Sequence, residues 1–162
     1  MLFRSFAENC AGCHGASGAG AKGFPNLADD DWLWGGDLEA IHTTIQAGIR
    51  STHPDSRLSQ MPRFGLDGML TAAQIEDVAE YVLSLSTTGT DRAAASRGEP
   101  VYVENCVVCH GAKGEGNVEV GSPSLADRIW LYGGDKASVV QSIRASRAGV
   151  MPSWSDRLDE PT

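Results

Sequence analysis

The chain has 162 residues, 41% of them hydrophobic, and a formal net charge of −8. No apolar run approaches the ~20 residues needed to cross a bilayer, and an acidic chain without a basic stripe argues against nucleic acid as a partner. This length holds one ordinary domain or two very small ones, and a lobe of about 80 residues buries too little surface to stand without a staple.

The first predicted element is a short amphipathic helix, because Leu2, Phe3, Phe6, Ala7 and Cys10 recur at helical spacing and Cys10 ends the run. Cys10-Ala11-Gly12-Cys13-His14 follows, and Cys106-Val107-Val108-Cys109-His110 accounts for the remaining two cysteines. Cysteine pairs at this spacing serve as disulfides, redox pairs or zinc ligands. A zinc site does not need the adjacent histidine, and a thioredoxin-like pair calls for a βαβ setting that neither segment has. In CxxCH the parts have distinct roles, since the two thiols form thioethers to the haem vinyl groups and the histidine lies under the iron. Two covalently attached haems c are therefore expected, and they supply the missing staple.

After the first motif come Pro25-Asn26-Leu27-Ala28-Asp29 and Trp32-Leu33-Trp34-Gly35-Gly36-Asp37. Asp37 reads as the N-cap of a helix with Leu38, Ile41 and Ile45 on one face. His42 lies on that helix and is expected to be structural. His53 lies beside Pro54 in a stretch from Ile49 to Gln60 and is expected in an exposed loop. Met61-Pro62 is next. Low-spin haem iron takes a sixth ligand, and Met61 is a candidate, whereas Met1 and Met69 read as core filler. Thr71 with Gln74 forms a capping-box pattern before a helix that turns Ile75, Val78, Ala79, Val82 and Leu83 inward. Ser86 to Ser96 is small and polar, a linker composition.

The rest of the chain repeats the first part. Glu104-Asn105-Cys106 matches Glu8-Asn9-Cys10, and Pro123-Ser124-Leu125-Ala126-Asp127 matches the Pro25 segment. Trp130-Leu131-Tyr132-Gly133-Gly134-Asp135 matches the Trp32 segment, and Asp135 caps a helix with Val139, Val140 and Ile143 on one face. Met151-Pro152 matches Met61-Pro62, with Trp154 and Phe64 at the same offset, so Met151 is the second candidate sixth ligand. No long alternating strand pattern occurs. The expected fold is all-α, two tandem cytochrome c domains over 1–86 and 98–162 joined by a linker at 87–97. The second copy has no counterpart of the helix after Thr71, which predicts a domain truncated at its C-terminus. Trp32, Trp34, Trp130, Tyr132 and Trp154 either line the haems or serve as large core residues.

The whole chain resembles the periplasmic part of the dihaem cytochrome c subunit of cbb3-type cytochrome c oxidases. The residues that carry this are Phe24-Pro25-Asn26-Leu27, Asp31-Trp32-Leu33-Trp34-Gly35-Gly36, Trp130-Leu131-Tyr132-Gly133-Gly134 and Gly149-Val150-Met151-Pro152-Ser153-Trp154. The resemblance implies class I cytochrome c folds in which the Pro25 and Pro123 carbonyls orient His14 and His110. It implies electron transfer toward other subunits of a membrane oxidase from a cytochrome donor, on the periplasmic side of a bacterial inner membrane. It implies also an upstream anchor or export signal, so that this sequence is an interior fragment and Met1 is not the biological start. With Met at both irons the chain is an electron carrier and not an enzyme on its own. The alternatives are a free periplasmic dihaem shuttle, which a cleavable signal peptide would favour, and a dihaem peroxidase, against which both methionines and the short chain argue. Residues 1–86 carry five basic and eleven acidic side chains, and residues 87–162 eight and ten. A more basic partner is thus expected at the first domain, if the charge is more than solubilising.

Overall fold

The computed structural model describes residues 2–158, with side chains from Arg4 onward. Met1, the side chains of Leu2 and Phe3, and residues 159–162 lie outside the described residues, as do the expectations placed on them.

Seven helices form among the described residues: α1 (Leu2–Asn9), α2 (Ala11–His14), α3 (Leu38–Ala47), α4 (Ala72–Ser84), α5 (Arg92–Asn105), α6 (Val107–His110) and α7 (Lys136–Ala145). Extended pairing is limited to isolated bridges among these residues. The caps are the expected ones. The Asp37 carboxylate accepts from the Ala40 N–H at 2.9 Å, the Asp135 carboxylate from Ser138 N–H at 2.9 Å, and Thr71 with Gln74 makes the reciprocal capping box.

The chain gathers into two compact units, Met1–Ser59 with Gly149–Thr162, and Gln60–Ala148. These do not coincide with the repeats at 1–86 and 98–162. The first unit holds α1, α2 and α3, and the second holds α4 to α7.

The core of the second unit explains the difference. Ile75, Val78, Ala79, Val82 and Leu83 of α4 are buried together with Phe64, Leu70, Tyr102 of α5, and Val139 and Ile143 of α7. Each large side chain withdrawn from water in this way contributes about 1.5–3 kcal/mol. Helix α5 approaches α4 through Ala94, Ala95 and Gly98, all buried. A Cβ on Gly98 would strike the Asp77 carbonyl, so glycine is what lets the two backbones meet.

Several expectations are corrected here. Residues 92–97 are not linker but the first turns of α5, capped by Asp91, whose carboxylate accepts from the Ala93 and Ala94 N–H groups at 2.9 and 3.1 Å. Small residues favour a helix as readily as a linker, and the tertiary surface of α4 decides between them. The second haem motif does not go without a covering helix, because α4, from the first repeat in sequence, covers it. It is α3 of the first unit that has no counterpart of α4 against it among the described residues. Its Leu38 is accordingly 86% and its Ile45 38% exposed, while the equivalent Ile143 of α7 is buried. Met69 is exposed and fills no core, and His53 is half-buried, its Nδ1 accepting from the Asp55 N–H at 3.1 Å.

Candidate functional site

In both units a single helical turn presents the motif. His14 N–H donates to the Cys10 carbonyl at 3.0 Å and His110 N–H to the Cys106 carbonyl at 2.9 Å, so each histidine lies one turn beyond its first cysteine. The preceding asparagines act alike: Asn9 Nδ2 donates to the Ser5 carbonyl and Asn105 Nδ2 to the Val101 carbonyl, each at 2.9 Å. All four cysteines are free thiols. Burial, then the neighbouring Cys109, pushes the Cys106 thiol up to about 11, and burial followed by Cys13 raises Cys10. Burial lowers His110, with the Pro123 hydrogen bond working the other way, so the setting favours the neutral ring.

Each motif is followed by a tight loop that turns back under the histidine. Gly20 N–H donates to the His14 carbonyl and Gly116 N–H to the His110 carbonyl, both at 2.8 Å. A Cβ on Gly20 would lie 2.5 Å from the Phe24 carbonyl oxygen, and its φ is +71°, so only glycine lets the loop close. The closure delivers a proline carbonyl to the imidazole. His14 Nδ1–H donates to the Pro25 carbonyl and His110 Nδ1–H to the Pro123 carbonyl, each at 3.0 Å. A carbonyl only accepts, so Nδ1 carries the proton and Nε2 is left as the electron-pair donor. Free thiols one turn apart, a histidine locked in this tautomer and a glycine-closed loop are what covalent attachment and axial ligation of a haem require. The residues fit the group.

The aromatic segments pack against their own glycines. Trp32 lies so close to Gly36 that a Cβ there would be 2.5 Å from the indole, and Trp130 lies the same way on Gly134. Trp130 also packs on the core of the second unit. Trp34 and Tyr132 each lie beneath a guanidinium, Arg57 at 5.0 Å and Arg147 at 4.5 Å from the ring centre. Trp154 N–H donates to the Ile45 carbonyl of α3 at 3.1 Å.

The two methionines fall in the units opposite to their repeats. Met151 exchanges backbone hydrogen bonds with Ile49, at 2.9 and 3.0 Å, and lies against Gly48 at the end of α3, in the unit of Cys10–His14. Met61 packs against the core that also receives Cys106, Val107, Leu125 and Trp130, in the unit of His110. The segment that carries Met61 is anchored where Gly65 and Leu66 N–H groups both donate to the Arg144 carbonyl at 3.1 Å. Neither His42, exposed on α3, nor His53, in its loop, takes part.

Sequence reading missed three residues. Tyr102 is fully buried and donates its hydroxyl to the Gly111 carbonyl at 2.8 Å, directly after His110, where the first repeat has Phe6. Arg57 and Arg147 each stand four residues before a Met-Pro pair, a spacing that could have pointed to them.

Residues 3–86 match the family model described as cytochrome c, and residues 93–162 the model described as cytochrome c oxidase, cbb3-type, subunit III. The cbb3-type cytochrome c oxidase subunit FixP of Bradyrhizobium diazoefficiens is 56% identical over 158 residues, covering 97% of this chain and 54% of the relative. The subunit CcoP of Cereibacter sphaeroides is 53% identical over 156 residues, covering 96% and 54%. That of Azospirillum brasilense is 56% identical over 164 residues, covering 97% and 56%. The chain spans about half the length of the curated relatives it matches. No helix among the described residues is long and apolar enough to cross a membrane.

Proposed function

The chain belongs to the cytochrome c family, with two cytochrome c domains and so two covalently bound haems c, and we propose that it transfers electrons as the haem-bearing part of the dihaem subunit of a cbb3-type cytochrome c oxidase. The observation that carries this reading is the pair of matched arrangements, CxxCH turn, proline-locked imidazole and Met-Pro segment, once in each compact unit. Haem supplies an iron that alternates between ferric and ferrous.

The chain's residues would do the rest. Cys10 and Cys13 would hold one haem and Cys106 and Cys109 the other, with His14 and His110 oriented by the Pro25 and Pro123 carbonyls. The grouping of the units supports Met151 as the partner of His14 and Met61 as the partner of His110, so each iron takes its histidine from one repeat and its methionine from the other. A methionine thioether together with a histidine would raise the reduction potential of the iron they hold and would leave no position for a substrate. Trp32, Trp34, Trp130 and Tyr132 shield the haem edges from water. Other oxidase subunits receive the electrons and a cytochrome delivers them, on the periplasmic side of a bacterial inner membrane, with oxygen reduction left to the assembled complex.

Mass spectrometry of denatured protein matured with haem-attachment machinery should retain two haem masses. In the ferrous protein, Met61→His should remove the methionine-methyl NMR signal that shows cross-peaks to the haem on Cys106 and Cys109. Loss of the other signal instead would overturn the exchanged pairing, and a single retained haem would overturn the reading altogether.

A further inference from the structure

The two repeats differ in length between their capped helix and their methionine. In the second, Ser146 at the end of α7 is followed at once by Arg147. In the first, Gly48 at the end of α3 is separated from Arg57 by eight extra residues, 49–56. The extra stretch leaves the repeat and returns to it, because Arg57 N–H donates to the Gly48 carbonyl at 3.2 Å and Arg50 N–H to the Arg57 carbonyl at 2.8 Å. Its middle is tied as well. Ser51 N–H donates to the Oγ of buried Ser56 at 2.9 Å, Ser51 Oγ to the Ala47 carbonyl at 2.7 Å, and Ser56 N–H to the His53 carbonyl at 3.0 Å.

The first two residues of this closed loop grip the segment that carries Met151. Ile49 exchanges both backbone hydrogen bonds with Met151, and Arg50 Nε donates to the Gly149 carbonyl at 2.6 Å. The same guanidinium donates from Nη1 to the Ser59 carbonyl at 2.9 Å, so one side chain joins the far end of the loop to a residue two positions before the methionine. Arg50 is half-buried, and its φ is +51°, in the left-handed region where a Cβ is unfavourable. Glycine would suit that backbone better. An arginine held there, with its fork on two carbonyls, marks a position strained for the sake of its side chain.

Met61 has no comparable support. Among the described residues it forms no backbone hydrogen bond, and its segment is tied further on, where Gly65 and Leu66 meet the Arg144 carbonyl. The second repeat, without the eight residues, has nothing in the place of Arg50. Arg50 and Gly149 lie 99 residues apart in the chain, so bringing the Met151 segment to α3 closes a long loop at an entropic cost. Fixing that segment beforehand lowers what its methionine must still lose on binding.

We propose that the loop at 49–56 is a clasp for the Met151 segment, and that Arg50 is the positioning residue that holds the Met151 thioether to the iron of the haem on Cys10 and Cys13. Arg50 acts through the Gly149 and Ser59 carbonyls, not on the iron itself. This rests on the two-haem reading and its exchanged methionines.

The test uses the ferrous two-haem protein, with each methionine-methyl NMR signal assigned by its cross-peaks to one haem. Carbon monoxide is then added until half of each signal is lost. Arg50→Gly deletes both side-chain bonds yet suits the backbone at this φ, so the loop keeps its course. The carbon monoxide needed at the haem on Cys10 and Cys13 should fall about tenfold, the effect of roughly one lost hydrogen bond from a charged donor. The haem on Cys106 and Cys109 should be unchanged. Arg50→Lys keeps the charge but reaches one carbonyl at a time, and should fall between the parent and Arg50→Gly. Before carbon monoxide is added, both haem masses and both methyl signals should match the parent. A Met151 methyl signal with cross-peaks to the haem on Cys106 and Cys109 would overturn the exchanged pairing and the clasp with it. With the signals in place, a change of less than twofold in both variants, or an equal fall at the two haems, would overturn the clasp alone.

Discussion

Replacing Ile75 with alanine tests whether α4 serves the site at His110 or the one at His14. Ile75 is 3% exposed in the core of the second unit, and its δ-methyl lies 3.0 Å from where a Cβ on Gly65 would stand, directly against the segment that carries Met61. The change removes three carbons, worth about 2.4 kcal/mol at ~0.8 for each buried methylene. The cavity left in this core adds to this, which brings the loss into the ~2–5 kcal/mol range of buried Ile→Ala changes. Against a typical total of about 5–15 kcal/mol this is large. Guanidinium unfolding of the haem-bearing protein should show a lower midpoint. Before global unfolding the ferrous variant should bind carbon monoxide at the haem of Cys106 and Cys109, because the Met61 segment has lost its support. Carbon monoxide entering first at the haem of Cys10 and Cys13 would refute the assignment of α4.

Three further outcomes follow from the second unit. Tyr102→Phe removes the hydroxyl bond to the Gly111 carbonyl and should cost about 1 kcal/mol, the net worth of one neutral hydrogen bond, in thermal or denaturant unfolding. Burial, chiefly, pushes the Tyr102 phenol up to about 12, so the folded state holds its proton more tightly than the unfolded chain does. Stability should therefore fall as pH rises from about 10 toward 12, and this part of the fall should be missing in Tyr102→Phe. At the other end of the scale, the paired bonds from Arg97, at 2.6 and 2.9 Å, hold the Asp77 carboxyl below its usual range. That stabilisation is present above the unfolded value of about 3.9 and is lost as pH falls through the lower folded value. Arg97→Ala should thus unfold more easily than the parent at pH 7, and the difference should shrink as the pH falls below the unfolded value.

The sequence alone determined whatever depends on neighbours a few residues apart. The two CxxCH turns, the caps at Asp37, Asp135 and Thr71, and the apolar face of α4 are all set by local spacing, and local spacing survives in any fold. The proline carbonyls at Pro25 and Pro123 were expected from family resemblance, and the hydrogen bonds are there at 3.0 Å. What only the tertiary structure decided is which surface each pattern meets. An apolar face carries no address: Ile75 to Leu83 would cover either haem motif equally well on paper. The close backbone approach at Gly98 and the packing of Val139 and Ile143 select the second. Within the stretch 86–96, residues 92–96 belong to α5, and there the Asp91 cap and the helix-forming alanines were a local signal that the linker reading passed over. A Met-Pro pair likewise marks a candidate ligand without saying which haem motif it would serve. The break between compact units falls at Ser59–Gln60 and again at Ala148–Gly149, between each arginine and the methionine four residues beyond it. That placement cannot be read from a repeat whose two copies look alike, because the choice is made by contacts between residues distant in the chain.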